Sequence, residues 1–315
     1  MVSTVKHRPL WRRVCRVLAD EGVAGVGRRL RPRPVDTAHQ TEVIAAAKRE
    51  YERRVEDFKA ASTRLGLGDL SRYYWYHTID LGNGVVTPGD YDYRSLLPAY
   101  GFPSDMRGMK VLDVGSATGF FAFEFEKRGA DVVSLDLPSI ADWDMPHSDR
   151  EWILRDLMQS HGVSTLEELH HFHIEGPFQL CRTVLGSKVV RLHSRIYDLS
   201  AEKHGSFDMI FAGDVLLHTF SPLAALVALA PLCRGTLVIA NELGDSQLER
   251  PYLAYAGGES GWDNRTWWYP NRLCLEQMLK RIGFKNVKQV GAHDPFPGRG
   301  GEWMTVGHSV FHATK

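Results

Sequence analysis

The sequence contains little cysteine, and the cysteines that it has are scattered. There are four among 315 residues, and no two of them form a C-x-x-C pair. This usage excludes a zinc knuckle or a dense disulfide framework and is typical of a reducing compartment. An excess of one charge is also missing, because the formal net charge is zero. The charge of the whole chain therefore gives no reason to expect nucleic-acid or membrane binding.

Long apolar runs are absent too. No stretch of the sequence stays apolar over the length that is needed to cross a bilayer. The first residues are basic, but they lack the long apolar core and small-residue cleavage site of a secretory signal. We therefore expect a soluble, cytoplasmic protein. The share of hydrophobic residues, 43%, is ordinary for a globular chain that buries a sizeable core.

Residues 1–40 are predicted to form a basic N-terminal segment. Its first 34 residues contain nine lysines and arginines but two acidic residues, and Trp11, Val14 and Leu18 fall at helical spacing. A basic amphipathic helix of this kind suits peripheral contact with a membrane, or a phosphate-rich partner such as tRNA. The alternative, which we favour, is a solvated tail or a helix that packs on its own domain.

Residues 41–105 are predicted to form a helical and aromatic extension of the main domain. The stretch 41–65 is rich in Ala, Glu, Lys and Arg, which favours a long helix. The stretch 73–84 is densely aromatic. Its rings can cover a ligand as a lid or anchor the extension to the core, and the sequence leaves both alternatives open.

Residues 106–315 alternate between strand and helix patterns. Such alternation predicts a parallel, doubly wound α/β sheet, in which ligands bind at the carboxyl ends of the strands where the strand order reverses. The predicted strands are 110–114, 131–135, 189–192, 207–212, 236–241, 287–290 and 309–313. The predicted helices are 119–128, 149–160, 178–185, 222–232 and 271–282.

The first of these strands runs into a turn that begins and ends with glycine. Gly115 and Gly119 flank Ser-Ala-Thr, and an apolar helix pattern follows. Glycine lets the backbone bend sharply and lets a ligand approach it closely. The free N–H groups at the start of the helix also face the turn. We therefore predict a site for a small ligand that carries a nucleoside, with Asp113 orienting the turn or meeting a cationic group.

The turn does not match the two common nucleotide motifs. A dinucleotide fingerprint, G-x-G-x-x-G, that starts at Gly115 would need glycine in place of Ala117 and Phe120. The phosphate-binding motif G-x-x-x-x-G-K-[ST] is absent as well. Acidic residues instead follow the next two strands. Asp136 can accept hydrogen bonds from both ribose hydroxyls, and Asp198 can accept one from the adenine amino group.

These residues together resemble the class I S-adenosylmethionine-dependent methyltransferases. The loop of that class reads acid-x-Gly-x-Gly-x-Gly, and here the middle glycine is Ala117. The resemblance implies a Rossmann-like, seven-stranded methyltransferase sheet and S-adenosyl-L-methionine as the cofactor. The alternative is that Asp136 and Asp198 are ordinary turn residues at strand ends. The cofactor-binding residues that the resemblance implies are Asp113, Gly115, Ser116, Ala117 and Gly119 near the methionine moiety, Asp136 and Leu137 near the ribose, Asp198 and Leu199 near the adenine, and Gly213.

A narrower resemblance, over about residues 75–305, is to the bacterial tRNA wobble-uridine carboxymethyltransferases. Those enzymes use carboxy-S-adenosylmethionine, whose extra carboxylate is held by a Lys, a Tyr and an Arg. Here the Tyr position is Leu217, the aromatic stretch has no Lys, and the last strand has no Arg. Because an unpaired buried charge is costly, we expect transfer of a methyl group instead. The resemblance rests on 207–222 (FDMIFAGDVLLHTFSP), on Tyr269-Pro270 with the helix that follows, and on Glu302-Trp303-Met304.

Methyl transfer to a hydroxyl needs an aligned donor and acceptor and the removal of one proton. His218, after the fourth strand, is the first candidate for the base, because histidine in general titrates near pH ~6.5. His77 and Asp214 are weaker candidates. The alternative for His218 is a structural role, which a lone histidine on an apolar helix face often has.

Three further histidines, His170, His171 and His173, stand close together in the sequence. Such a group raises the question of a metal site. No Asp or Glu stands at ligand spacing, so we expect a solvated helix end and no metal.

Aromatic residues on both sides of the central strands are the candidates for binding the acceptor. Their faces, with neighbouring amides and a guanidinium at 263–265, suit a sugar ring or a planar base, although core packing is the alternative for each of them. Three hypotheses follow: O-methylation of a small-molecule or glycan-like hydroxyl, methylation of tRNA, and a non-catalytic cofactor-binding partner subunit. The oligomeric state is not indicated. The candidate residues are Trp75, Tyr76, Trp267, Trp268 and Tyr269.

Overall fold

A computed structural model describes residues 37–68, 70–244, 249–256, 265–293 and 308–315. The chain divides into two compact units, Met1–Ala46 and Ala47–Lys315. In the first unit the described part is the beginning of a helix, and most of the predicted basic segment 1–40 lies outside the described residues. Among the described helices, none has the length and apolar character of a membrane span.

The larger unit is built on a seven-stranded sheet with the order β3-β2-β1-β4-β5-β9-β8. A separate two-stranded hairpin is formed by β6 and β7. The strands are β1 (Lys110–Val114), β2 (Asp131–Asp136), β3 (Val190–His193), β4 (Phe207–Gly213), β5 (Cys233–Glu242), β6 (Leu253–Tyr255), β7 (Trp268–Pro270), β8 (Asn286–His293) and β9 (His308–Thr314). The predicted seven-stranded α/β sheet is confirmed.

The prediction of a wholly parallel sheet is wrong in one strand. Neighbouring strands from β3 to β5 pair in parallel, but β9 pairs antiparallel with both β5 and β8. A parallel neighbour needs a crossover of a dozen or more residues, which is usually a helix. The sequence between β8 and β9, residues 294–307, is rich in Gly and Pro and has no helical pattern. The sequence thus gives no sign of the crossover helix that a parallel β9 would usually need.

The predicted helices lie close to their predicted positions, and the starts of two of them follow side-chain caps. Asn271 accepts a hydrogen bond from the N–H of Cys274 at 3.0 Å, and Ser221 accepts one from Ala224 at 3.3 Å. A wide π turn, His171–Glu175, was not predicted. The helices are α1 (Thr37–Arg64), α2 (Phe120–Lys127), α3 (His147–His161), α4 (Leu166–His170), α5 (Gly176–Val184), α6 (Ala201–His204), α7 (Pro222–Leu229) and α8 (Arg272–Arg281).

The predicted boundary between the extension, 41–105, and the main domain, 106–315, does not separate two compact units. From Ala47 onward the extension belongs to the same compact unit as the sheet. Trp75 is buried and packs edge to face on Phe58 of α1, with ring centroids 5.1 Å apart. Tyr93 and Tyr100 join the same core cluster as the inner side chains of the sheet. The aromatic stretch thus anchors the extension, which is one of the two alternatives considered above.

Strand order reverses between β1 and β4, so the loops that follow these two strands meet at one edge of the sheet. The meeting is close. A Cβ atom on Gly115, after β1, would lie 2.6 Å from Cγ2 of Val215, after β4. This edge is where a ligand is expected, and the residues around it form the candidate site.

Candidate cofactor and acceptor site

The loop after β1 has a backbone conformation that explains its small residues. Gly115, Ala117 and Gly119 have φ angles of +68°, +46° and +91°, all in the left-handed region. A Cβ on Gly119 would also lie 2.7 Å from the ring of Phe123, so glycine is needed there for space as well. Ala117 adopts the conformation of the missing glycine although it carries a Cβ. The departure from the class I loop therefore places a side chain at a left-handed position, which glycine adopts more readily.

Asp136, the predicted ribose ligand, holds this loop in place. One carboxylate oxygen accepts a hydrogen bond from the N–H of Ala117, and the other accepts one from Leu137, each at 2.8 Å. A carboxylate offers about four acceptor positions, and the guanidinium of Arg191 also lies 3.5 Å from Oδ2, so the position left for a hydroxyl group is on Oδ1. Asp136 is buried at the end of β2. Its position agrees with the predicted role, which stays a prediction.

Arg191 is a residue of the site that the sequence reasoning missed. It lies on β3, its side chain is 4% exposed, and its guanidinium stacks over the ring of Phe178 at 4.1 Å. It donates hydrogen bonds to Ser116 Oγ at 2.6 Å and to Ser134 Oγ at 2.9 Å. A carboxylate oxygen of Asp136 lies 3.5 Å from the same guanidinium. An arginine inside an otherwise apolar strand pattern is the signal that could have identified it.

Asp113 has a feature that suits the cofactor. The residue is 1% exposed, and its Oδ2 has no hydrogen-bond partner. Burial raises the pKa of the Asp113 carboxyl to about 7, against the lowering effect of Arg191 and of the N–H of Ala122. A buried polar atom without a partner calls for one. The ammonium group in the methionine moiety of S-adenosylmethionine would supply it, so the residues present fit this cofactor.

The raised pKa of Asp113 predicts that cofactor binding depends on pH. Below about pH 7 the carboxyl holds a proton, which must leave before a cation can pair with it. We expect the affinity for S-adenosylhomocysteine to rise about 10- to 30-fold between pH 5.5 and 7.5 and to be flat above that. Calorimetric titration at several pH values measures this.

The matched control uses the same substitution at another carboxylate. Asp113→Asn should bind more weakly and lose the pH dependence, whereas Asp131→Asn, at an exposed position that begins β2, should keep it. An unchanged pH dependence in Asp113→Asn would show that a different group titrates.

His77 is buried against the cofactor loop. Its Nδ1 lies 3.0 Å from Thr118 Oγ1, and its backbone N–H donates to the same oxygen at 3.1 Å. Burial lowers the pKa of His77 to about 3. A histidine that stays neutral and bonded in this way positions the loop. The predicted catalytic role of His77 stays a prediction that its burial disfavours.

Asp214 directly follows Gly213 at the end of β4 and has φ of +53°, an uncommon value for a residue with a side chain. Its Oδ1 lies 2.9 Å from Nε2 of His308, the first residue of β9. Its charge also reaches Tyr76: burial raises the pKa of that phenol well above the ordinary value, and Tyr91 and Asp214 raise it further. Asp214, a predicted site residue, is thus paired with His308, and its charge acts on Tyr76, a second predicted site residue.

His218 is exposed at the end of a short 3-10 turn, Leu216–His218, in the loop after β4. Its Nδ1 lies 2.8 Å from the carbonyl oxygen of Arg265. Because a carbonyl only accepts, Nδ1 carries the hydrogen, and in the neutral ring the basic lone pair is on Nε2. The guanidinium of Arg265 stacks over Trp143 at 4.9 Å.

The predicted aromatic residues after β5 lie over the loop that carries His218. Trp267 is buried, its backbone N–H donates to the carbonyl of Leu217 at 2.8 Å, and its indole N–H donates to the carbonyl of Asp144 at 2.9 Å. Trp268 and Tyr269 lie on β7 and are half-buried. Among these residues, Trp268 and Tyr269 are the better placed to contact an acceptor. Trp75 and Trp267 are packed in the core, which disfavours the contacts predicted for them.

Other predicted positions are less central. Asp198 is exposed and is the last residue of a 3-10 turn that follows β3. The residue of this segment that bonds the end of β2 is Ser194, whose backbone N–H donates to the carbonyl of Asp136 at 3.0 Å. Leu199 packs in the core cluster on the other face of the sheet. The adenine role of Asp198 stays a prediction. Residues 262–264 and 302–304, used in the sequence analysis, lie outside the described residues.

The three neighbouring histidines do not converge. His173 is buried, stacks on Tyr74 at 4.3 Å and lies 3.0 Å from His161, and burial lowers its pKa to about 3. His171 is exposed beside Tyr73. His170 faces another group of residues, which is described below.

Comparison with known proteins agrees with this geometry. A family model described as a methyltransferase domain matches residues 89–289, which is more than half of the chain. The tRNA U34 carboxymethyltransferase of Dichelobacter nodosus is 31% identical over 202 residues, which cover 62% of this chain and 51% of that protein. The protein of the same name from Azotobacter vinelandii is 26% identical over 211 residues, with coverage of 64% and 54%.

The chain spans about half the length of these curated relatives. Among solved structures, the N-terminal domain of EvdMO1, crystallised in the presence of SAH and D-fucose, is 13% identical. It covers 78% of this chain and 92% of that chain, with a TM-score of 0.49.

The sheet order and the glycine loop define a class I methyltransferase domain, for which S-adenosyl-L-methionine is the cofactor. The chain belongs to the methyltransferase-domain family, and the two curated relatives described above are tRNA U34 carboxymethyltransferases. The predicted family, fold and cofactor are confirmed.

Proposed function

We propose that the protein transfers a methyl group from S-adenosyl-L-methionine to a hydroxyl oxygen of a small-molecule or glycan-like acceptor. The observation that carries the proposal is the contact between the loops after β1 and β4. The cofactor loop touches Val215, and the adjoining residues Asp214 and His218 belong to the same loop as Val215. The residues proposed to bind the donor and those proposed to bind the acceptor therefore lie at the same edge of the sheet, where in-line transfer is possible.

The identity of the donor is argued from the same loop. Leu217 is buried and apolar where the carboxymethyltransferases have a tyrosine. On the last strand, His308 pairs with the carboxylate of Asp214. An additional carboxylate on the donor would meet Asp214 as a like charge, which is unfavourable at close range. A methyl donor carries no such charge.

When bound, the cofactor supplies a methyl group on a positively charged sulfur, and its C–S bond breaks as the new C–O bond forms. The chain must then take the proton of the acceptor hydroxyl. His218 can do so at Nε2, because the Arg265 carbonyl keeps the hydrogen on Nδ1. Asp214 and Tyr76 offer an acceptor and a donor of hydrogen bonds that can orient the hydroxyl.

The deciding experiment is transfer from a labelled methyl donor into a fractionated lysate of metabolites, glycans and RNA. We expect label in a small-molecule or glycan fraction with the unaltered protein. Asp136→Ala, which loses the carboxylate beside the cofactor loop, should lose both S-adenosylhomocysteine binding and transfer. Carboxy-S-adenosylmethionine is tested in parallel, and better transfer from it would overturn the assignment of the donor. Cofactor binding without transfer to any fraction would instead support a non-catalytic partner subunit.

A second candidate, methylation of a tRNA wobble uridine, is favoured by the names of the curated relatives. It predicts label in the RNA fraction. It also predicts binding of tRNA whose affinity falls steeply with salt, since each phosphate contact releases counterions. Removal of residues 1–36 should then reduce that salt dependence, because the basic residues concentrate there. Weak binding without salt dependence would exclude this candidate.

A further inference from the structure

A group of two imidazoles and a carboxylate lies beside the cofactor loop but is not used by it. His170, Glu175 and His193 each offer one ligand atom, and these atoms all lie within 4.8 Å of one another. His193 Nε2 is 3.2 Å from Glu175 Oε2. In a tetrahedral zinc site with bonds of about 2.0–2.1 Å, neighbouring ligand atoms are about 3.3–3.4 Å apart. The spacing of the group is therefore close to that of a metal site.

Three separate elements bring these residues together. His170 ends α4, Glu175 ends the π turn, and His193 ends β3, where it pairs in register with Asp136. The π turn is possible because Gly176 follows it: a Cβ there would lie 2.8 Å from the carbonyl oxygen of His171. Such turns inside helical segments are frequent at functional sites. Sequence spacing alone could not identify the group, because His193 is 18 residues beyond Glu175.

The surroundings of the group suit a cation. Glu175 Oε1 accepts a hydrogen bond from Gln179 at 2.7 Å, which orients the other oxygen toward His193. The Nδ1 atom of His170 is buried and has no hydrogen-bond partner.

The guanidinium of Arg191 already brings one positive charge next to the group, and it would repel a metal ion unless the carboxylates offset it. The Nε of Arg191 lies 3.2 Å from Glu175 Oε2 and its guanidinium lies 3.5 Å from Asp136. Two carboxylates and one guanidinium leave a net charge of −1 with neutral imidazoles. A carboxylate oxygen has two lone pairs, so Glu175 can face Arg191 with one and a metal ion with the other.

We propose that His170, Glu175 and His193 form a binding site for a divalent transition-metal ion, for which zinc is the best match. Two imidazoles and one carboxylate are a ligand set that zinc accepts, with a fourth position left for water. Arg191 contacts Glu175 through Nε and the hydroxyls of Ser116 and Ser134 through another guanidinium nitrogen, so an ion at the site would be linked to the cofactor loop through that arginine.

Titration of the tag-free full chain with Zn²⁺ alone, after treatment with a chelator, tests the site. We expect one Zn²⁺ per chain, measured by calorimetry and by metal analysis of the dialysed protein. His170→Ala and His193→Ala should each weaken binding at least ~10-fold. His171→Ala is the matched control, because His171 is exposed and outside the group, and it should bind as the unaltered protein does.

Two results would overturn the proposal. One is binding that is equally strong in His193→Ala and in the unaltered protein. The other is an equal loss in His171→Ala, which would indicate adventitious surface histidines. Far-UV circular dichroism confirms that each variant is folded, and His193→Asn replaces His193→Ala if that variant is not. Substitution with Co²⁺ adds a visible spectrum that reports nitrogen ligation and should change in the His193 variant.

Discussion

Replacement of His218 by alanine is expected to lower kcat of methyl transfer by about 10²- to 10⁴-fold, the usual contribution of a general base. Binding of S-adenosylhomocysteine should change less than twofold, since His218 lies in the loop after β4 and its Nδ1 donates to the carbonyl of Arg265 rather than to the loop after β1. Single-turnover kinetics with labelled donor and calorimetric titration separate the two effects.

The control for this variant is His147→Ala, because His147 is an exposed histidine at the start of α3. It should leave kcat unchanged. Added imidazole should restore part of the activity of His218→Ala, which a purely structural loss would not allow. Equal turnover by His218→Ala and the unaltered protein would remove His218 as the base and leave Asp214 as the remaining described candidate in this loop.

Replacement of Arg191 by methionine is expected to lower the free energy of unfolding by about 3–5 kcal/mol, because it leaves the buried Asp136 and the half-buried Glu175 without their cation. For a domain of this size that corresponds to a Tm lower by roughly 10 °C. Cofactor affinity should fall as well, since Arg191 bonds Ser116 and the carbonyl of Ala117. Thermal melts with and without S-adenosylhomocysteine measure both effects.

Arg195→Met is the matched control. Arg195 belongs to the same segment and also pairs with a carboxylate, Asp144, but its side chain is 43% exposed. Asp144 is 7% exposed, but it keeps hydrogen bonds from the hydroxyl of Tyr197 and the N–H of Phe220 when Arg195 is replaced, so this variant should melt within about 3 °C of the unaltered protein. Similar losses in the two variants would contradict the distinct role assigned to Arg191.

The features that the sequence predicted well are those encoded locally. The bounds of β1 were predicted without error, and the ends of β2, α2 and α8 within a residue or two, because apolar periodicity, a glycine and a capping asparagine mark them. The loop after β1 was predicted from its small residues, and its left-handed angles agree. Asp136 was predicted from its place at a strand end, and it does contact the loop.

The residues that were missed depend on contacts between distant segments. Arg191 reaches Ser116 because β3 pairs with β2 in a particular register, Ser134 opposite Arg191. His308 reaches Asp214 because β9 enters the sheet beside β5 in the antiparallel direction. Neither pairing can be deduced from local pattern alone, since register is set by the assembled sheet. For Trp75 the sequence left acceptor contact and core packing open, and its packing on α1 favours the second alternative.

The position of β9 between β5 and β8 also has a consequence for the order of assembly. β8 pairs only with β9 in the described sheet, although it precedes β9 in the chain. It therefore has no backbone partner until β9 has docked on β5. The half of the sheet that contains β1 to β5 can form first, and the completion of the sheet waits for contacts that are distant in sequence, which are slow to form. The ion pair between Asp214 and His308 can form only when β9 docks on β5. The cofactor half of the site can thus be in place before the acceptor half is complete.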